Sequence, residues 1–278
     1  MTRFFLLAYA ISWLIWAPLW LPELGMSTNG SWPILHPLGG LGPMLSAFIC
    51  TALESGKEGT RALWRRMAFE RGTLGWVLLA LFAPLLLLAL GMIIHPLFGG
   101  PPAAWGDFGR SRDWPMLSAP AFLLFNLIFF GYGEEVGWRG YALPRLQAGR
   151  SAWQATVILT LFWAMWHAPL FFFRPGFAGM DALGVVGWLF SLLTGAVLLT
   201  WLFNDSRGNL LVVALLHASI DVAFVSVTSA GLAPMLGAAV TCWGIWVLIV
   251  FGPARLARAG KVVKRPGMAD AHFTSSRA

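Results

Sequence analysis

Residues 74–98 read LGWVLLALFAPLLLLALGMIIHPLF, an apolar run that contains no Asp, Glu, Lys or Arg. An apolar stretch of about 18 or more residues is long enough to cross the hydrocarbon core of a bilayer as an α-helix. Seven more segments have this character, although the fourth of the eight is polar in its second half. The predicted spans are about 4–21, 36–54, 74–98, 118–147, 151–173, 182–203, 208–228 and 232–252.

The composition agrees with a membrane protein. Of the 278 residues, 58% are hydrophobic and only 11% are charged, whereas a soluble domain has about 25% charged residues. A soluble fold, a disordered chain, a coiled coil and a disulfide scaffold are excluded by this balance. The two cysteines, Cys50 and Cys242, lie in apolar runs without metal-ligand spacing. We predict an all-α, polytopic transmembrane helical bundle that forms one domain over residues 1–252.

The basic residues predict the orientation of the bundle. With a cytoplasmic amino terminus, sixteen Lys and Arg fall inside and three, Arg110, Arg112 and Arg174, fall outside. This bias is the positive-inside pattern, so both termini are predicted to be cytoplasmic, in a bacterial inner membrane. The net charge of +7 therefore indicates membrane lipids as partners and no nucleic acid.

Two basic segments lie outside the spans. Residues 57–71 are interpreted either as an amphipathic helix on the inner leaflet or as an ordinary basic loop. Residues 253–278 are polar, small and basic, and we predict a disordered cytoplasmic tail.

A few ionisable residues lie inside the predicted spans, where each is a functional hypothesis by default because charge is costly in a bilayer. Counted from the cytoplasmic ends at about 1.5 Å per residue, the groups of spans four, five and seven lie roughly 20, 24 and 14 Å deep. Three helices therefore bring polar groups to overlapping depths. These residues are Glu134, Glu135, Arg139, His167, His217 and Asp221.

Helical spacing assigns partners within this set. Glu135 and Arg139 stand at i and i+4, a spacing that favours an ion pair. Glu134 points about 100° away and stays free, and a free carboxylate near an imidazole can activate water. His217 and Asp221 share a face and either stabilise an oxyanion or supply two metal ligands.

Small residues surround the acidic pair. Gly133 and Gly137 form a GxxxG pattern, which favours close helix packing. The alternative interpretation is that these glycines leave room for a substrate backbone beside Glu134.

The charged residues also form three motifs that resemble a known family. EEVGWR (Glu134 to Arg139) resembles the EExxxR motif of the CPBP family, the type II CAAX prenyl endopeptidases and bacteriocin-processing proteins, also named Abi. WAMWH (Trp163 to His167) resembles its FxxxH motif, and HASID (His217 to Asp221) its HxxxN/D motif. The resemblance covers about residues 118–228, which we define as the motif-bearing core.

This resemblance implies an intramembrane endopeptidase that acts on a membrane-associated protein or peptide. Glu134 and His167 would activate water, and His217 with Asp221 would stabilise the oxyanion. Arg139 would orient the acidic pair through Glu135. The glutamate mechanism requires no metal, and the active site is expected to face the cytoplasmic side.

Two positions depart from the strict family pattern. Trp163 replaces Phe, an exchange between aromatic residues. Asp221 replaces Asn, and an ionised Asp cannot donate to an oxyanion. Asp221 is then protonated, or it orients and charges His217, or the site binds a metal. In the last case Glu134, His167, His217 and Asp221 would hold zinc.

Two other functions compete with proteolysis. A proton-coupled transporter would use Glu134, His167 and Asp221 as a proton relay, but no internal repeat is visible in the sequence. A catalytically silent family member would act in binding or immunity.

Overall fold

Helices occupy all eight segments that the sequence marks as membrane spans. The structure is a computed structural model that describes residues 1–26, 33–102, 104–229, 231–258, 260–265 and 271–275. Its α-helices are α1 (Thr2–Trp20), α2 (Leu35–Gly40), α3 (Gly42–Arg65), α4 (Leu74–Ile94), α5 (Ala119–Asn126), α6 (Gly133–Glu135), α7 (Leu143–Gln147), α8 (Ala152–Trp166), α9 (Leu170–Phe173), α10 (Pro175–Ala178), α11 (Ala182–Asp205), α12 (Leu210–Val225) and α13 (Ala233–Phe251). Two short strands, β1 (Gly260–Val263) and β2 (His272–Ser275), complete the described secondary structure apart from short 3₁₀ turns and the π-helical turns described below. The prediction of an all-α membrane bundle is confirmed.

Within the described residues, five helical stretches are long and apolar enough to cross a membrane. Helices α8 and α12 are apolar but shorter, and the segment at 119–147 is divided by π-helical turns. The chain is an integral membrane protein, while the number of crossings and the side of the termini stay predictions. The five stretches are Thr2–Leu24, Leu35–Arg65, Arg71–Phe98, Ala182–Asp205 and Ala233–Phe251.

The fourth predicted span is one uninterrupted helical run, residues 119–147, which we call the motif helix. Its α-helical parts alternate with two π-helical stretches, Leu127–Tyr132 and Val136–Ala142. Such wider turns are rare and are often found at functional sites. Glu134 and Glu135 lie in the α-helical turn between the two stretches.

Close packing explains the glycines of the motif helix. A Cβ added at Gly137 would lie 2.5 Å from the Cβ of Pro43, and one at Gly133 would lie 2.6 Å from the carbonyl oxygen of Gly40. Both distances are too short for a side chain, so the motif helix approaches α2 and α3 backbone to backbone. This geometry supports the packing interpretation of the GxxxG pattern.

Local signals fix where the two histidine-bearing helices begin and end. A capping box of Ser151 and Gln154 starts α8, and Pro169 follows shortly after the helix ends, where proline cannot continue it. His167 is therefore the carboxyl-terminal cap of α8. The side chain of Asn209 accepts the backbone N–H of Val212 and starts α12.

The bundle has two distinct ends. At the first, which we call the basic end, α3 and α8 meet the connections around residues 208–210 and 253–254: Leu210 N–H donates to the Arg66 carbonyl at 2.7 Å, and Ala152 N–H donates to the Ala254 carbonyl at 3.0 Å. At the opposite end, the far end, Val227 N–H donates to the Arg110 carbonyl at 2.8 Å.

Part of the segment expected to be a disordered tail is folded in the structure. Strands β1 and β2 pair antiparallel, with Gly260 opposite Ser275. The hairpin docks on the basic end, where the Gln147 amide donates to the Val262 carbonyl at 2.8 Å and Lys264 N–H donates to the Pro144 carbonyl at 2.9 Å. The amino-acid composition does not indicate this docking, because the hairpin contributes backbone atoms, the Val262 carbonyl and the Lys264 N–H, to these bonds. The domain boundary at 252 stays a prediction.

The segment at 57–71 also has partial helical order. Helix α3 continues to Arg65, past a break at Gly56, where φ is 58°. Trp64 beyond this break is 63% exposed. An exposed indole among basic residues supports the interpretation of an amphipathic helix at the membrane surface over residues 57–65.

Candidate active site

Three elements bring the six predicted site residues together inside the bundle. The motif helix supplies Glu134, Glu135 and Arg139, the end of α8 supplies His167, and α12 supplies His217 and Asp221. The first five are buried, and Asp221 is partly buried. The convergence that helical depth predicts is present in the structure.

A cavity of about 160 Å³ lies between four of the six residues. Its walls include Glu134, His167, His217 and Asp221, with aromatic side chains between them. A second, larger cavity of about 840 Å³ shares the two histidines and Asp221 and extends among α11, α12 and α13. The polar groups therefore face two neighbouring cavities that are lined mainly by apolar side chains.

Glu135 is the hub of the buried polar network. Its Oε1 accepts from Arg139 Nη1 at 2.9 Å and from His217 Nδ1 at 2.8 Å. The i, i+4 pair with Arg139 was expected from the helical spacing, but the bond to His217 was not, because it joins residues 82 positions apart. Periodicity within one helix carries no information about a contact between two helices.

Glu134 has a different partner. Its Oε2 accepts from the Trp163 indole Nε1–H at 2.7 Å. The Arg139 guanidinium lies over the same indole, with Cζ 4.7 Å from the ring centroid, a cation–π distance. In the sequence analysis, Trp163 is treated only as an aromatic replacement for Phe. The indole N–H, a donor that Phe lacks, is the feature of the sequence that could have indicated its bond to Glu134.

His167 is held in one orientation by its own helix. Its Nδ1 lies 2.6 Å from the Trp163 carbonyl oxygen, and this contact is a hydrogen bond only if Nδ1 carries the proton. The rings of Trp166, Phe177 and Trp188 surround the imidazole. In the neutral ring, Nε2 is then the nitrogen with a free lone pair.

His217 lies between two carboxylates. Its Nδ1 bonds to Glu135, and its Nε2 lies 3.7 Å from Asp221 Oδ2. Of the three alternatives for Asp221, this placement favours the one in which the carboxylate orients and charges His217.

The same residues do not assemble a metal site. Over the described part of the chain, no three His, Cys, Asp or Glu side chains converge closely enough to hold a metal ion. Glu134, His167, His217 and Asp221, the proposed zinc set, line one cavity without forming such a cluster. We therefore derive no chemical step through a metal.

Together, the helical bundle and the buried glutamates and histidines define an integral membrane protein with a polar site between its helices. Residues 116–223, which contain all six site residues, match the family of type II CAAX prenyl endopeptidases, described as Rce1-like. The chain is also 23% identical over 229 residues to CAAX prenyl protease 2 of Methanococcus maripaludis, covering 78% of this chain and 81% of that relative. Both findings support the CPBP-family resemblance that the motifs indicate, and they support an intramembrane protease.

Proposed function

We propose that this protein is an intramembrane endopeptidase that hydrolyses a peptide bond in a membrane-associated protein or peptide, in the manner of a CAAX protease. The observation that carries the proposal is the convergence of Glu134, His167, His217 and Asp221 on one buried cavity. We propose that the reaction takes place within the membrane and that the protein lies in the inner membrane of a bacterium.

Glu134 is the proposed general base. Trp163 holds its Oε2, and Oε1 accepts a proton from a water molecule that His167 Nε2 helps to orient. The water oxygen attacks the peptide carbonyl carbon, and a tetrahedral intermediate forms. Glu134 then returns the proton to the leaving nitrogen as the C–N bond breaks. General acid–base catalysis of this kind contributes about 100- to 10,000-fold.

His217 is the proposed stabiliser of the oxyanion. As an imidazolium, it donates through Nδ1 to Glu135, and its Nε2–H remains available for the negative oxygen. Asp221, 3.7 Å from Nε2, supports the charged ring. Arg139 orients Glu135 and so acts as a positioning residue, since it reaches the reacting atoms only through its partner.

The reaction that we propose requires no metal cofactor. Its support is that a carboxylate and an imidazole suffice to activate water and that the proposed zinc set is not gathered as a cluster. Elemental analysis of the purified protein, with turnover measured after exhaustive chelation, checks this point. Stoichiometric zinc together with turnover that chelators abolish would overturn the metal-free mechanism.

The decisive test compares the wild-type protein with Glu134→Ala. Membrane proteomics of cells that produce each form should show precursors accumulating with the variant, and the purified wild-type protein should cleave such a precursor. We expect Glu134→Ala to lower kcat by about 100- to 10,000-fold.

Glu58→Ala is the matched control, because Glu58 is an exposed glutamate outside the cavity. The activity of this variant should equal that of the wild type. Undiminished cleavage by Glu134→Ala would refute the assignment. Proton-coupled uptake in proteoliposomes without cleavage would establish the transporter instead.

A further inference from the structure

The cavity and the basic residues lie at opposite ends of the bundle. The rim of the cavity is formed at the far end by Asp113 and Arg174, whose side chains pair at 2.7 Å and are 50% and 27% exposed. Arg112 and Gly176 extend this rim around the larger space. The mouth therefore lies between the connection that precedes the motif helix and the connection that follows α9.

The basic end is closed by hydrogen bonds between its helix ends. Arg66 Nε donates to the Gly208 carbonyl at 3.0 Å, and its Nη1 donates to the Gly140 carbonyl at 3.2 Å. The hairpin covers the neighbouring ends of α7 and α11 through Gln147 and Asn204. These contacts stand between the cavity and the solvent at the basic end.

Charge separates the two ends as clearly as the cavity does. The far end carries three arginines beside four acidic residues, Glu23, Asp107, Asp113 and Asp181. Cations predominate at the basic end. The basic residues of its connections and termini are Arg3, Lys57, Arg61, Arg65, Arg66, Arg71, Arg145, Arg150, Arg207, Arg255, Arg258, Lys261, Lys264 and Arg265.

An excess of Lys and Arg in short connections marks the cytoplasmic face of a membrane protein. The connections here are short enough for this rule, because the longest, residues 99–118, lies well below about 60 residues. This rule therefore predicts that the basic end is cytoplasmic. Two expectations from the sequence, cytoplasmic termini and a site that faces the cytoplasm, are incompatible in this structure because the mouth is at the opposite end.

We propose that the active-site cavity opens to the extracytoplasmic face, so that the substrate is the membrane-proximal segment of an exported protein or peptide. That a substrate enters the cavity rests on the proposed function. The side of the membrane to which the cavity opens rests on charge and geometry alone. A peptide reaching the site passes Asp113 and Arg174 first, and its apolar side chains enter the space among α11, α12 and α13.

Cysteine labelling tests the orientation. In a background of Cys50→Ala and Cys242→Ala, which removes both native thiols, three reporters are introduced one at a time into the full chain. Gly176→Cys reports on the rim, Val225→Cys on the cavity wall and Lys57→Cys on the basic end. Intact spheroplasts are treated with a membrane-impermeant thiol reagent before and after permeabilisation.

We expect labelling of Gly176→Cys, and of Val225→Cys with a small reagent, before permeabilisation, and labelling of Lys57→Cys only afterwards. The rim position is exposed and has no atom within 4 Å of an added Cβ, so its substitution is compatible with folding. The reverse pattern would overturn the proposal, as would equal labelling of both ends. Labelling of Gly176→Cys without labelling of Val225→Cys would overturn the claim that the cavity is open to the extracytoplasmic face.

A second measurement separates this inference from the proposed function. A peptide anchored to one leaflet is offered to the protein in right-side-out and in inverted vesicles. Cleavage confined to right-side-out vesicles supports the proposal, and cleavage confined to inverted vesicles refutes it. Absence of cleavage in both, with the expected labelling, would refute the proteolytic function and leave the orientation established.

Discussion

Trp163 connects the two halves of the candidate site at the level of a single residue. Its indole N–H bonds to Glu134, its ring carries the Arg139 guanidinium and its carbonyl oxygen binds His167. Phe at this position would keep the ring and the carbonyl but would lose the N–H. The indole bond therefore orients the proposed general base, and Trp163 is a positioning residue.

Trp163→Phe should lower kcat by about 10- to 100-fold, because a hydrogen bond to a charged group contributes about 1.5–3 kcal/mol. KM should change little, since the cavity keeps its aromatic wall. Steady-state kinetics on a cleaved precursor measure both constants.

The control is Trp13→Phe, which removes an indole bond of 3.0 Å to the Trp166 carbonyl but leaves Glu134 untouched. Its effect should be confined to stability. Equal losses of kcat in the two variants would show that the Trp163 bond serves structure alone.

All six candidate residues were found from the sequence because polar side chains are conspicuous in apolar spans. Their partners were found only in part. The Glu135–Arg139 pair follows from i, i+4 spacing within one helix. The bonds from His217 and Trp163 cross between helices, and their geometry depends on how the helices pack and rotate, which one sequence does not specify.

The motif helix sets the geometry of the site at the level of an element. Its glycines let neighbouring backbones come close, and its π-helical turns change the direction in which successive side chains point. Gly137 faces Pro43 of α3, and Gly131 faces the Ala214 carbonyl of α12. The glycines therefore fix how far Glu134 and Glu135 lie from α12.

Gly137→Ala should destabilise the protein by about 1–3 kcal/mol, the usual cost of forcing extra volume into a packed core. The new Cβ would lie 2.6 Å from backbone atoms of Pro43, and backbone cannot rotate away as a side chain can. Thermal unfolding in detergent, followed by the fluorescence of the 16 tryptophans, gives the change in Tm.

Gly187→Ala is the matched control. Gly187 lies in α11 with nothing within 4 Å of an added Cβ, so the substitution should be neutral or stabilising by up to about 1 kcal/mol. A Tm for Gly137→Ala as high as that of this control would contradict the packing interpretation.

The helical segments were predicted well because the apolar runs are long. The interior of the fourth span was not. Its π-helical stretches, Leu127–Tyr132 and Val136–Ala142, have no compositional signature, since the same residues form ordinary α-helix elsewhere. The first stretch contacts α2 and α12, and the second contacts α3 and α12.

At the scale of the whole molecule, the carboxyl-terminal hairpin ties the helix ends of the basic end together. Asn204 is the centre of this junction: its Oδ1 accepts from Gln147 at 3.1 Å and from Val262 N–H at 3.0 Å, and its Nδ2 donates to the Arg255 carbonyl at 2.9 Å. The tail was expected to be disordered because its composition is polar, yet the buried amides of Asn204 and Gln147 and the Pro144 carbonyl anchor it.

Asn204→Ala should lower the stability by about 1–3 kcal/mol for each group that is left without its partner, and it should release the hairpin. Limited trypsin digestion, followed by mass spectrometry at Lys261 and Lys264, measures the release. Lys57→Ala, an exposed change at the same end, should leave the digestion rate unchanged. If both variants are cut at the same rate, the hairpin is not held by Asn204.

The bond between Glu135 and His217 also has a consequence for biosynthesis. The histidine is 82 residues downstream of its partner, which at about 5–20 residues per second means a delay of roughly 4 to 16 s. During that interval, Glu135 has Arg139 one helical turn away as its counter-ion. The local pair lets the fourth span enter the lipid before α12 exists, and the arrival of α12 then completes the network. The chain thus carries Glu135 into the bilayer already paired with Arg139.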